Sequence, residues 1–157
     1  MDNESNFNSD NTGILLISHG SRHPLASKTF NQIADMFRKE SDIKVNVGYM
    51  EIHEPNIPTA INELVEGTEI DTIIAVPVFL AHGMHTTRDI PNILGLSDDE
   101  EEHEHADEDN NAHHGHHHHH DIEKVDFDGE IIYTEPLGAD PLVIEIIKNR
   151  VNTALKL

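Results

Sequence analysis

The chain contains no cysteine, which excludes disulfides, thiolate metal sites and cysteine nucleophiles together. Any metal ion must be held by imidazole or carboxylate. Basic residues are scarce: ten Lys and Arg stand against 30 Asp and Glu, for a formal net charge of −20. Phosphate backbones would be repelled, so nucleic acid is excluded as a partner. No apolar run approaches the roughly 20 residues a membrane helix needs. The chain opens Met-Asp-Asn-Glu, without the basic start and apolar stretch of a secretory signal, so a cytoplasmic protein with no membrane partner is the expectation. Nor is there a Walker loop, a G-x-G-x-x-G turn or a G-x-S-x-G elbow, which leaves ATP-driven chemistry and ester hydrolysis without support.

What is present falls into order along 157 residues, a one-domain length. Residues 1–11 read as a flexible polar leader. Gly13–Ser18 is a short apolar run that reads as a buried parallel strand, followed directly by His-Gly-Ser-Arg. Phe30, Ile33, Ala34 and Phe37 repeat at helical spacing. Lys44–Met50 alternates as a second strand, and Ile57, Ile61, Leu64 and Val65 mark a second helix that Gly67 ends. Thr72–Leu80 reads as a third buried strand, with a short helix between His85 and Leu94. Glu130–Tyr133 is a fourth strand. Asp140-Pro141 then starts a last helix, Asp as N-cap and Pro at the first helical position, with Leu142, Val143, Ile146, Ile147, Val151, Ala154 and Leu155 as its apolar face. The alternation predicts an α/β fold: a three-layer sandwich on a four-stranded, mainly parallel sheet. It forms a single domain over residues 12–157, interrupted at 97–128 by a disordered loop rich in His and acid. Within that loop, Ser97–Asp121 carries nine His and ten acidic residues and no Lys or Arg, a composition that cannot bury a core. It reads as a tract for metal capture or storage, or as a dispensable solubilising insertion.

The other five histidines, His19, His23, His53, His82 and His85, all fall in three loops: 19–24, 51–56 and 81–89. Each follows a strand, on the edge where parallel sheets bind ligands. His19 and His85 can share a divalent ion, since imidazole suits Co2+, Ni2+, Zn2+ and Fe2+ alike. Glu51 and Glu54 offer a further ligand or a proton acceptor. Arg22 and Arg88, each three residues beyond a histidine, can form a basic patch for carboxylates, with Lys28 adding to it. Ser21, Gly83 and Thr86 lie on the same loops.

Four stretches carry a family resemblance: Leu-Leu-Ile-Ser-His-Gly-Ser-Arg at 15–22, Tyr-Met-Glu-Ile-His-Glu-Pro-Asn-Ile-Pro at 49–58, Val-Pro-Val-Phe-Leu-Ala-His-Gly-Met-His-Thr-Thr-Arg-Asp-Ile-Pro at 76–91, and Glu-Pro-Leu-Gly-Ala-Asp-Pro at 135–141. With them the chain resembles the short archaeal sirohydrochlorin chelatases of the class II chelatase group, several of which carry a His-rich insertion at the same place. The resemblance implies a homodimer with a substrate cavity between two chelatase-like halves. It implies insertion of Co2+ or Ni2+ into sirohydrochlorin, serving cobalamin and the nickel tetrapyrrole of methanogenesis, and the missing Walker loop makes that insertion ATP-independent. The ion is the substrate metal, and no permanent cofactor is implied. His19 and His85 carry over as metal ligands and catalytic residues, with Glu51 or Glu54 assisting. Ser21, Arg22, Gly83, Thr86 and Arg88 are the expected substrate-binding residues. A nickel or cobalt carrier or store, and an Fe2+ chelatase for sirohaem, are the competing expectations.

Overall fold

The computed structural model describes residues 10–96 and 124–156. Most of the expected leader, and the His- and acid-rich tract, lie outside the described residues.

Four strands form the sheet: β1 (Thr12–Ser18), β2 (Lys44–Tyr49), β3 (Thr72–Pro77) and β4 (Glu130–Tyr133). Their spatial order is β2-β1-β3-β4, and every neighbouring pair is parallel. β1 is central, which explains its continuous apolar run: strands covered on both faces bury every side chain. Alternate residues feed two cores. Leu15, Ile17, Ile73 and Ala75 pack under α2 (Ile57–Val65) and α3 (Ile90–Ile93). Ile14, Leu16, Val45 and Val47 pack against Phe30 and Ala34 of α1 (Pro24–Glu40). Full burial of each such aliphatic side chain is worth about 1.5–3 kcal/mol. The helix starts are capped: Asn56 Oδ1 accepts from Thr59 N at 2.9 Å, and Asp140 Oδ1 from Leu142 N at 2.8 Å.

Three expectations need adjustment. The third helix is preceded by a five-residue π-turn, His85–Asp89. Pro91 has no N–H to return to Thr86 in that wider ladder, and the Tyr133 hydroxyl donates to the Thr86 carbonyl instead, at 2.8 Å. The end of the expected loop at 97–128 is ordered, because Val125 N–H donates to Ile93 O at 3.0 Å and Phe127 packs on the α2–α3 core. Last, α4 (Pro141–Leu155) forms as expected but buries none of its residues. Leu142, Ile146, Ile147, Val151 and Leu155 are at least half exposed. Periodicity identifies an apolar face and says nothing of which chain covers it.

Candidate active site

Three connections leave the C-terminal ends of β1, β2 and β3, and the structure draws them together. Gly20 is the reason the first two can meet. Its φ is +91°, and a Cβ there would lie 1.9 Å from the Glu51 carbonyl oxygen, so only glycine permits the approach. The Glu51 N–H donates to His19 O at 3.2 Å. The His53 ring hydrogen-bonds to the Ser21 carbonyl and stacks against Tyr49, centroids 5.2 Å apart. Burial raises the Tyr49 phenol above its ordinary value, against a hydrogen bond to Asn31.

On this base His19 and His85 stand side by side, with ring centroids 4.5 Å apart and planes at 46°. The Nδ1 of His19 lies 2.9 Å from Gly20 O. A carbonyl only accepts, so Nδ1 carries the proton and donates. That leaves the Nε2 lone pair available, and Nε2 faces Glu51 Oε1 at 3.2 Å. The Nδ1 of His85 is likewise engaged, 2.8 Å from Asp89 Oδ2. Asp89 in turn accepts from Arg88 Nε at 3.0 Å. Burial works against ionisation of Asp89, but hydrogen bonds from Arg88 and His85 outweigh it and hold the carboxyl below the usual carboxylate range. Among the described residues no group of three or more His, Asp or Glu is arranged to hold a metal ion.

The remaining expected residues separate. Glu54 turns away from the histidines, its Oε2 accepting from Asn56 N at 3.3 Å. Ser21 Oγ accepts from His23 N at 3.1 Å, and His23 Nδ1 accepts from Leu25 N at 3.2 Å as the α1 cap. Thr86 is buried. Its hydroxyl sits between Gly83 N at 2.9 Å, Gly83 O at 3.2 Å and His82 Nδ1 at 3.1 Å, so it shapes the turn. His82 also reaches Glu135 Oε2 at 2.5 Å. Arg22 and Lys28 are exposed beside this edge, whereas Arg88 spends its Nε on Asp89. Sequence reasoning missed the Asp89–His85 contact, for which the i,i+4 spacing was the available signal. It also missed Tyr133, whose phenol burial and the Glu135 charge push up to about 12. Among the described residues no helix is long and apolar enough to cross a membrane.

Comparison with known proteins bears on the family and the fold. A 155-residue stretch is 52% identical to a protein named sirohydrochlorin cobaltochelatase from Methanothermobacter thermautotrophicus, covering 99% of this chain and 100% of that one. A protein of the same name from Methanocaldococcus jannaschii is 51% identical over 138 residues, 87% of this chain and 95% of its own. In fold, the chain is similar to a solved structure from Marinobacter aquaeolei VT8 described as a putative cobalamin biosynthesis CbiX protein. Its TM-score is 0.65 at 23% identity, over 92% of this chain and 95% of that one. The CbiX family model matches residues 13–154, nearly the whole described fold, and the chain belongs to the CbiX family.

Proposed function

We propose that this protein is a sirohydrochlorin chelatase that inserts Co2+, and also Ni2+, into the tetrapyrrole without ATP. The observation that carries the reading is the His19–His85 pair: two imidazoles 4.5 Å apart, each with Nδ1 already hydrogen-bonded. The names of the relatives in methanogens supply the substrate class and favour cobalt.

Insertion exchanges one divalent ion for the two inner N–H protons of the ring. His19 and His85 hold the ion through Nε2, and the ring nitrogens replace its waters and then the imidazoles. Glu51, already against His19 Nε2, takes one proton as the ion leaves. The freed imidazoles take and release the other. Arg22, with Lys28 behind it on α1, meets peripheral carboxylates of the ring and supplies the local positive charge that a chain of net charge −20 otherwise lacks. The cobalt product feeds cobalamin, and the nickel product a methanogenic cofactor.

The site is completed by a second copy of the chain. The exposed apolar face of α4, the exposed Ile33, Met36 and Phe37 of α1, and the half-buried Ile74, Val76 and Val78 of β3 and its C-terminal extension support a homodimer. In it, α4 of one chain covers the open sheet face of the other.

The test mixes purified protein with sirohydrochlorin and limiting Co2+, Ni2+ or Fe2+, followed by visible absorbance against metal-only blanks. Protein-dependent acceleration with Co2+ is expected. Binding of metal with no acceleration would favour a carrier instead.

A further inference from the structure

The two imidazoles reach the same state by different means. His19 donates Nδ1–H to a backbone carbonyl of its own loop. Among the described residues no backbone oxygen serves His85, whose Nδ1 meets the Asp89 carboxylate at 2.8 Å. Asp89 is the less exposed of the two side chains, 26% against 47% for His85, and Arg88 Nε fixes its other oxygen at 3.0 Å. The π-turn brings positions 85 and 89 onto one side of the chain; the Tyr133 hydroxyl fastens that turn to β4, and the Thr86 hydroxyl ties it to Gly83 within the loop.

We propose that Asp89 is a positioning residue for metal handling: its carboxylate holds His85 in the Nδ1–H form and so presents the Nε2 lone pair to the ion, with Arg88 anchoring the carboxylate. The proposal rests on the reading of His85 as a ligand. A neutral imidazole has one N–H, and the partner of one nitrogen decides the state of the other. An ionised carboxylate only accepts, so Asp89 admits only the Nδ1–H form, whereas a free neutral imidazole in water prefers the Nε2–H form, in which the ligand atom is blocked. A carboxylate partner also makes the opposite nitrogen a stronger donor than a carbonyl partner does. His85 is thereby the stronger of the two ligands and His19 the more readily released. The sequence Arg88-Asp89 acquires a purpose that substrate binding by Arg88 alone does not give it.

The test uses the full chain labelled with 15N-histidine and freed of metal, at a pH above imidazole titration. Long-range proton–nitrogen correlation spectra read which ring nitrogen is protonated, and the His85 signals are assigned by their loss in His85→Ala. Wild type is expected to show His85 as Nδ1–H. Asp89→Ala is expected to move it toward Nε2–H and to slow Co2+ insertion by about 10- to 100-fold, the usual cost of losing a hydrogen-bond partner behind a metal ligand. Arg88→Ala should lie between. Wild-type His85 in the Nε2–H form overturns the proposal without any variant. So does a folded Asp89→Ala protein that keeps the Nδ1–H form and the wild-type rate. The ring-nitrogen spectra need no tetrapyrrole, so their failure is distinguishable from a failure of chelatase activity.

Discussion

The Glu51 carbonyl oxygen lies where the side chain of any residue other than glycine at position 20 would begin, 1.9 Å from an ideal Cβ. The contact clamps the His19 loop onto the Glu51 loop and sets the His19–Glu51 distance. Gly20→Ala is expected to break it. The left-handed backbone alone costs roughly 1–2 kcal/mol, and the collision adds to that. Urea unfolding should show a loss above about 2 kcal/mol, together with a loss of insertion activity. An unchanged midpoint would mean that the two loops are not in contact.

The two candidate glutamates make opposite predictions. Glu51 meets a proposed metal ligand, so Glu51→Gln should cut kcat by about 100-fold or more, within the range for a positioned proton acceptor. Glu54 caps a backbone N–H ahead of α2. Glu54→Gln should leave kcat within about threefold and lower stability by about 1 kcal/mol at most. Steady-state insertion rates for the pair decide the matter, and the reverse order would transfer the role to Glu54.

With two tyrosines and no tryptophan, ultraviolet absorbance gives a clean tyrosinate titration. Tyr133 should ionise at about 12 and Tyr49 above its ordinary 10.0. In the unfolded chain both ionise near 10.0, so the raised folded values contribute stability that is complete below pH 10. That stability is lost as pH rises toward 12. Tyr133→Phe should shrink this alkaline loss and, by freeing the Thr86 carbonyl, lower stability at neutral pH. Both tyrosines titrating at 10 in folded protein would contradict the burial described.

The apolar face of α4 predicts a dimer by sedimentation. Ile146→Glu with Ile147→Glu changes two half-exposed side chains, so the single chain should keep its circular dichroism while the dimer dissociates. A wild-type monomer, or a variant that stays dimeric, would contradict the covering of α4 by a second copy.

The sequence made the sheet legible because buried parallel strands such as Gly13–Ser18 and Thr72–Pro77 are uninterrupted apolar runs, and Asp140-Pro141 marks a helix start by cap chemistry alone. The position of α4 was not legible, since its apolar face has the same spacing whichever chain it packs on. The site was half legible. Five histidines after strand ends pointed to one edge, but spacing could not separate the facing pair His19 and His85 from the cap at His23, the loop tie at His53 or the turn bond at His82. Those roles depend on which backbone groups lack partners once the loops close. The Asp89–His85 bond had a sequence signal in its i,i+4 spacing, but that spacing does not show the π-turn in which the two residues meet.

The central claim is that the His19–His85 pair delivers the metal ion. Its most direct test is the rate of Co2+ insertion into sirohydrochlorin by folded His85→Ala protein at saturating metal. The account predicts a loss of more than about 100-fold, beyond the usual cost of disturbing the groups behind a ligand. A rate equal to wild type would contradict it.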